Sequence, residues 1–258
     1  MKAPLDHVGF LGPAIDALVQ DFTALGFRIL GPAPLEAVDA DGRARPLGQS
    51  SAHIMFEDSY IELTAVTQAG PDHHLAPWLA KPPGIRLLLL QTDQARDTAA
   101  RLAASGVPVT AVAGATRRLT YGNRGPVAFS WFALEGSPLP GTLAAFVQHH
   151  DRAAVFAPEV RTHPNTVTGI TALYHRPRPL PAWLAGPAGV ELIEDRHAAP
   201  GKPFLTGLGL AATDLDRCQA VMAANGVAVE REDDTLRVAA EQAGGAWLRI
   251  GAEPGAAR

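Results

Sequence analysis

The sequence predicts an α+β fold built from paired βαβββ modules, followed by a smaller, degenerate copy of the same pair. Three observations carry this. A strand–helix–strand–strand–strand order is written over residues 4–66, it is written again over 84–150, and it returns in trimmed form after residue 166. Residues 1–150 are therefore expected to form one domain, 151–165 a linker and 166–258 a smaller lobe.

The elements follow in order. Leu5–Leu11 alternates as a strand, with Val8 and Phe10 on one face and His7 and Gly9 on the other. Ala14–Leu25 is a helix, because Ile15, Leu18, Phe22 and Leu25 recur at helical spacing and Gly26 stops it. Phe27–Leu30, Ser51–Phe56 and Ser59–Val66 are the remaining strands, with a polar loop expected from about residue 36 to 50. In the second unit Ile85–Gln91 is a strand, Gln94–Ala104 a helix, and Val107–Val112, Val127–Leu134 and Leu143–His149 are strands. After the linker come strands at Thr166–Tyr174 and Val190–Ile193, a short helix start at Leu180–Ala185, and a final β-α-β-β-β run from Leu205 to Ile250. Laying Ala14–Gly26 on Asp93–Ser105 and Tyr60–Leu63 on Phe146–His149 sets His7 opposite Arg86 and Glu62 opposite Gln148.

Composition narrows the function classes. Net charge is −4 with no Lys/Arg run, which gives no basis for nucleic-acid binding. The single cysteine, Cys218, cannot form an internal disulfide, and no apolar run is long enough to cross a bilayer. The expectation is a soluble cytoplasmic protein, a monomer or homodimer, with a small-molecule substrate. Gly207 and Gly209 match a dinucleotide fingerprint by letters only, since they sit inside a strand.

The strand Tyr60–Val66 presents Tyr60, Glu62 and Thr64 on one face, so a single carboxylate stands between a ring and a hydroxyl. Together with His7 it offers one possible metal ligand per strand. An "LDHVGFL" opening, a "YIEL" closing strand and a later "HPN" at 163–165 resemble the glyoxalase-like domain proteins of the vicinal oxygen chelate superfamily, the glyoxalase, bleomycin-resistance and dioxygenase group. That resemblance implies an incomplete barrel whose concave face holds one divalent metal (Zn, Mn, Fe, Co or Ni). It implies two ligands from each module. His7 and Glu62 fill the first pair. In the second module Arg86 stands at one place and cannot ligate, being cationic without a free lone pair. Gln148 stands at the other, and alternation puts His150 on the same face and His149 on the opposite one.

Further roles follow. His53, on a neighbouring strand, is a candidate general base or third ligand beside Glu62. Arg86 is placed to hold a substrate carboxylate, and Tyr60 and Trp131 to contact substrate. Arg117, Arg118 and Arg124 fall in a Gly-rich stretch expected to be solvated, and His163-Pro164-Asn165 reads as a turn opening the second lobe. The resemblance thus implies a metal-dependent lyase, isomerase or dioxygenase acting on a small oxygenated, anionic molecule. The alternative is a metal-free protein that sequesters an antibiotic or aromatic compound.

Overall fold

The computed structural model describes residues 3–38, 41, 43–70, 73–122, 124–136, 139–180, 189–198 and 203–253. Its first eight strands are β1 (Leu5–Leu11), β2 (Leu30–Val38), β3 (Ala44–Met55), β4 (Tyr60–Val66), β5 (Gly84–Gln91), β6 (Ala113–Arg118), β7 (Pro126–Ala133) and β8 (Leu143–His149). They form a closed barrel in the order β1-β4-β3-β2-β6-β7-β8-β5. Helix α1 (Ile15–Ala24) follows β1 and α2 (Ala95–Ala104) follows β5. Both show the expected amphipathic pattern, with Leu18 and Phe22 buried on α1 and Leu102 on α2.

The closed barrel corrects the incomplete one that the resemblance implied. The closing seam is β2 against β6, where Glu36 faces Thr116, Ala37 faces Ala115 and Val38 faces Gly114. The sequence hid this seam because Gly31, Pro32 and Pro34 in β2 and Pro46 and Gly48 in β3 interrupt the alternation, and most of β2 is only half-buried. A second correction is nearby. Val107–Val112 holds only one isolated bridge, Val109 to Leu134, and the pairing strand is Ala113–Arg118.

The remaining strands are β9 (Val167–His175), β10 (Glu191–Glu194), β11 (Leu205–Ala212), β12 (Val229–Glu232), β13 (Thr235–Val238) and β14 (Trp247–Ala252). They make an open sheet in the order β10-β9-β11-β14-β13-β12. The pairing senses match the barrel's: β9 runs antiparallel to β11 as β1 does to β5, and β11 runs parallel to β14 as β5 does to β8. The one-turn α3 (Arg152–Val155) lies in the expected linker and α4 (Leu215–Ala224) in the second lobe. The expected helix start at 180–185 falls, beyond Leu180, outside the described residues.

One apolar cluster runs from the barrel through α1 to the open sheet, joining Phe10, Leu18 and Phe22 to Leu208, Leu248 and Ile250. Burying a side chain such as Phe22 contributes roughly 1.5–3 kcal/mol. Gly244, at φ +60, lies against α1, and a Cβ there would come within 3.0–3.1 Å of Leu18, Phe10 and Phe22. The "HPN" residues stitch the same junction. His163 Nδ1 accepts from the Arg28 amide at 3.1 Å while its Nε2 donates to the Met55 carbonyl at 3.0 Å, and Asn165 donates to the Leu25 carbonyl at 2.9 Å. The residues expected as a linker are packed rather than free, with Val155, Phe156 and Val160 buried against Met55, Tyr60 and Val127.

Candidate functional site

The barrel encloses a cavity with roughly 610 Å³ of empty volume, the open mouth included. Four of its polar lining residues, His7, Gln49, Tyr60 and Glu62, come from the first module. Parallel pairing of β1 with β4 sets His7 beside Tyr60 and Gly9 beside Glu62. His7 Nε2 and Glu62 Oε2 are 3.3 Å apart. The Tyr60 ring stacks on the imidazole at 4.3 Å. Ser51 donates to Glu62 Oε1 at 2.6 Å and shares a 3.0 Å hydrogen bond with Thr64.

The residue that sequence reasoning missed is Asp6. Strict alternation puts it on the face opposite His7, yet its carboxylate is fully buried and lies 2.8 Å from His7 Nδ1. The cause is a register shift in the β1–β5 pairing between Leu5 and His7, which breaks the period-two rule at this residue. The same Asp6 oxygen lies 3.1 Å from His149 Nε2, and Arg152 Nη1 approaches the other oxygen at 3.4 Å. A buried aspartate immediately before the histidine was the available signal, since such a carboxylate needs partners.

The pKa shifts follow from this packing. Burial raises the Asp6 and Glu62 carboxyls, but the imidazoles win. Asp6 falls well below the usual carboxylate range beside His149 and His7. Glu62 falls to about 2 beside His7, helped by His53 and Ser51. Burial lowers His7, yet the hydrogen bonds and charges of Asp6 and Glu62 raise it above its ordinary value. Asp6 is then an acceptor only, so His7 Nδ1 and His149 Nε2 must both carry protons. Burial, with Asp6's charge adding to it, holds the Tyr60 phenol well above its ordinary value and therefore neutral.

The second module departs from the sequence alignment by one residue in β5 and by three in β8. Ile15 and Ala95 open the two helices and Ala24 and Ala104 close them, so the repeat is eighty residues long. The place of His7 is then Leu87, not Arg86. In β5–β8 Leu89 pairs with Ala145 where β1–β4 pairs Gly9 with Glu62, so the place of Glu62 is Ala145. A slip of one residue turns every side chain to the other face. Arg86 accordingly lies outside the cavity lining and donates to the Gly141 and Pro82 carbonyls at 3.1 and 2.7 Å. Gln148 turns to α2, where its Oε1 accepts from the Ala95 amide at 3.0 Å. His150 is exposed beside Ser130, at 2.9 Å. His149, expected to point away, lines the cavity. Gly9 makes room for this wall, since a Cβ there would sit 2.2 Å from Leu87 Cδ1.

The remaining candidates divide. Trp131 and Phe129 line the cavity, and His74 sits there close to Trp131, 5.6 Å between rings, with burial and His73 pushing its pKa down to about 4. His53 lies beside Glu62 in the β3–β4 pairing but faces a smaller cleft with Leu119 and Tyr121. Burial, then the Arg117 charge, holds His53 well below its ordinary pKa. Arg117, expected in solvent, lines the main cavity with 6% exposure.

A divalent metal is tested by this donor set. His7 Nε2 and Glu62 Oε2 are spaced as two ligands of one ion would be, but the facing places hold the apolar Leu87 and Ala145. Among the described residues no group of three His, Cys, Asp or Glu side chains is arranged to hold an ion. The residues present do not fit a resident metal with three or four protein ligands.

The comparisons with known proteins agree with this architecture. The glyoxalase-like domain family matches residues 5–190. No curated protein sequence matches significantly. A hypothetical protein from Staphylococcus aureus has a TM-score of 0.65 at 9% identity, covering 97% of this chain and 99% of that one. A mutant 4-hydroxymandelate synthase from Streptomyces coelicolor has a TM-score of 0.54 at 13% identity, covering 98% and 94%. A fusion of a xylose isomerase-like TIM barrel with 4-hydroxyphenylpyruvate dioxygenase reaches 0.59 at 11% identity over 100% of this chain and 50% of its own length. At these identities the likeness is one of fold. With the family model matched over most of the chain, this chain belongs to the glyoxalase-like domain family.

Proposed function

We propose that this protein is a glyoxalase-like enzyme that moves a proton on a small oxygenated substrate, a lyase or isomerase in class, with His7 and Glu62 as the acid–base pair. The open sheet is read as a trimmed copy of the barrel's modules that supports this site. The observation that carries the reading is the buried Asp6–His7–Glu62 chain, 2.8 and 3.3 Å between successive groups, opening on the barrel cavity. Asp6 holds the Nδ1 proton, which leaves Nε2 as the working nitrogen. The neighbouring carboxylates raise the His7 pKa, which favours His7 as the acid of the pair. A substrate carbonyl oxygen entering between Nε2 and Glu62 would take the Nε2 hydrogen bond and be polarised. As that proton moves toward substrate, Glu62 loses the charge that depresses its pKa and becomes the stronger base for an adjacent C–H. Such general acid–base help is worth about 10²–10⁴ in rate.

The 3.3 Å spacing of Nε2 and Oε2 favours one other reading, the pair as ligands of a divalent metal. One experiment separates the two. Protein purified without a histidine tag is incubated in D2O with ketones and 2-oxo acids, and exchange of the C–H next to the carbonyl is followed by NMR. Exchange that survives chelation and falls about a hundredfold or more in both His7→Gln and Glu62→Gln supports acid–base catalysis. One equivalent of a transition metal, with exchange abolished by a chelator, would return the pair to a ligand role. Tight binding with no exchange of any compound would move the protein to sequestration.

A further inference from the structure

Arg117 is the cation that nothing in the cavity neutralises. The two buried carboxylates are already partnered, Asp6 by His7, His149 and Arg152, and Glu62 by His7 and Ser51. Arg117 has no ion-pair partner within 4 Å among the described residues, and its Nη2 is buried without a hydrogen bond. Its cation–π contact among the described residues is with the Tyr60 ring, 5.5 Å from Cζ, close to the outer limit of a useful one. A buried guanidinium so placed is unfavourable unless an anion completes it. Two more atoms of the same lining are unpaired, Gln49 Oε1 and His149 Nδ1. The rest of the wall is aliphatic and aromatic: Leu35, Leu47, Leu87, Leu89, Leu143 and Val147, with Phe129 and Trp131.

We propose that Arg117 is the specificity-determining residue of the cavity and that its substrate is a carboxylate with an apolar or aromatic body. The guanidinium fork takes the carboxylate, and the leucine and aromatic wall takes the remainder. This rests on the cavity being the substrate site of the acid–base reading above, and it supplies the recognition that Arg86, turned outward, cannot.

The test is binding, separate from turnover. Phenylacetate and hexanoate are titrated calorimetrically at pH 7 against their neutral amides, phenylacetamide and hexanamide. The intact protein is expected to bind the carboxylates about tenfold or more tighter than the amides. Arg117→Met is expected to erase that preference and, in the ligand-free protein, to raise Tm by about 2 °C or more, because it removes a buried unpaired charge. A purely structural arginine would lower Tm on removal. Arg117→Lys keeps the charge without the fork, so the preference shrinks but persists, and this variant decides the matter if the methionine variant does not fold. Equal affinity for acids and amides, absence of millimolar binding by either acid, or an unchanged preference in the folded variants overturns the proposal. Glu62→Gln is expected to keep the carboxylate preference whether or not exchange survives, so failure of the acid–base reading is seen separately.

Discussion

The two halves of the barrel have the same element order and opposite characters. Residues 5–66 supply His7, Gln49, Tyr60 and Glu62 to the wall, with Ser51 and Thr64 buried in a hydrogen-bonded chain behind Glu62. Residues 84–149 answer with Leu87, Leu89, Phe129, Leu143 and Val147, backed by Ala145, and add Arg117, Trp131 and His149 as groups with polar atoms. On the proposed acid–base reading, the first half acts on a proton and the second shapes and orients what is held. A repeated fold has thus been divided between chemistry and fit, and the division runs through the two positions that distinguish His7 from Leu87 and Glu62 from Ala145.

That comparison can be broken most forcefully by making the halves alike. Leu87→His combined with Ala145→Glu places the first half's donors at the matching places of the second. Co²⁺ titration followed by absorption is expected to show affinity on the order of a hundredfold above the wild-type protein, as four donors then converge. No gain would mean that these positions do not face His7 and Glu62.

A smaller effect separates the halves by pH. Asp6 and Glu62 have folded pKa values below their unfolded ones, so their stabilisation is present above about pH 4.5 and is lost as pH falls toward 2. His74 and His163, pushed down to about 4, are protonated more readily when unfolded, so they too favour the fold as pH rises from 4 to 6.5. His7 has the opposite sign. Its raised pKa makes its contribution complete below 6.5 and lost as pH climbs through the folded value. Urea unfolding is therefore expected to show stability rising from pH 3 to about 6.5 and declining above it. The alkaline decline should vanish in His7→Gln.

The smallest effects test the second half's outward face. Gln148→Ala removes the acceptor for the first amide of α2 and is expected to cost about 0.5–1.5 kcal/mol in urea unfolding, with carboxylate binding unchanged. His150→Ala, at an exposed site, should stay within about 0.5 kcal/mol of the parent. A loss of ligand binding in either variant would show that β8 presents its other face to the cavity.

Much was legible in the sequence because it is local. Helical spacing ending in Gly26 and Gly106, and the alternation around His7 and Glu62, record which side of each element is buried, and the order of those elements records the family. Tyr60, Glu62 and Trp131 line the cavity because each sits on a strand whose period two is intact there, and His7 joins them just past the register shift that follows Leu5. Asp6, Arg86, His149 and Arg117 required the tertiary structure. Odd slips in the repeat, one residue in β5 and three in β8, and a bulge next to His7 invert facing without changing composition, and the glycines and prolines of β2 interrupt the alternation at its seam with β6. Periodicity reports burial along a single strand, whereas the register between strands, which decides what meets across the cavity, is set only when the barrel closes.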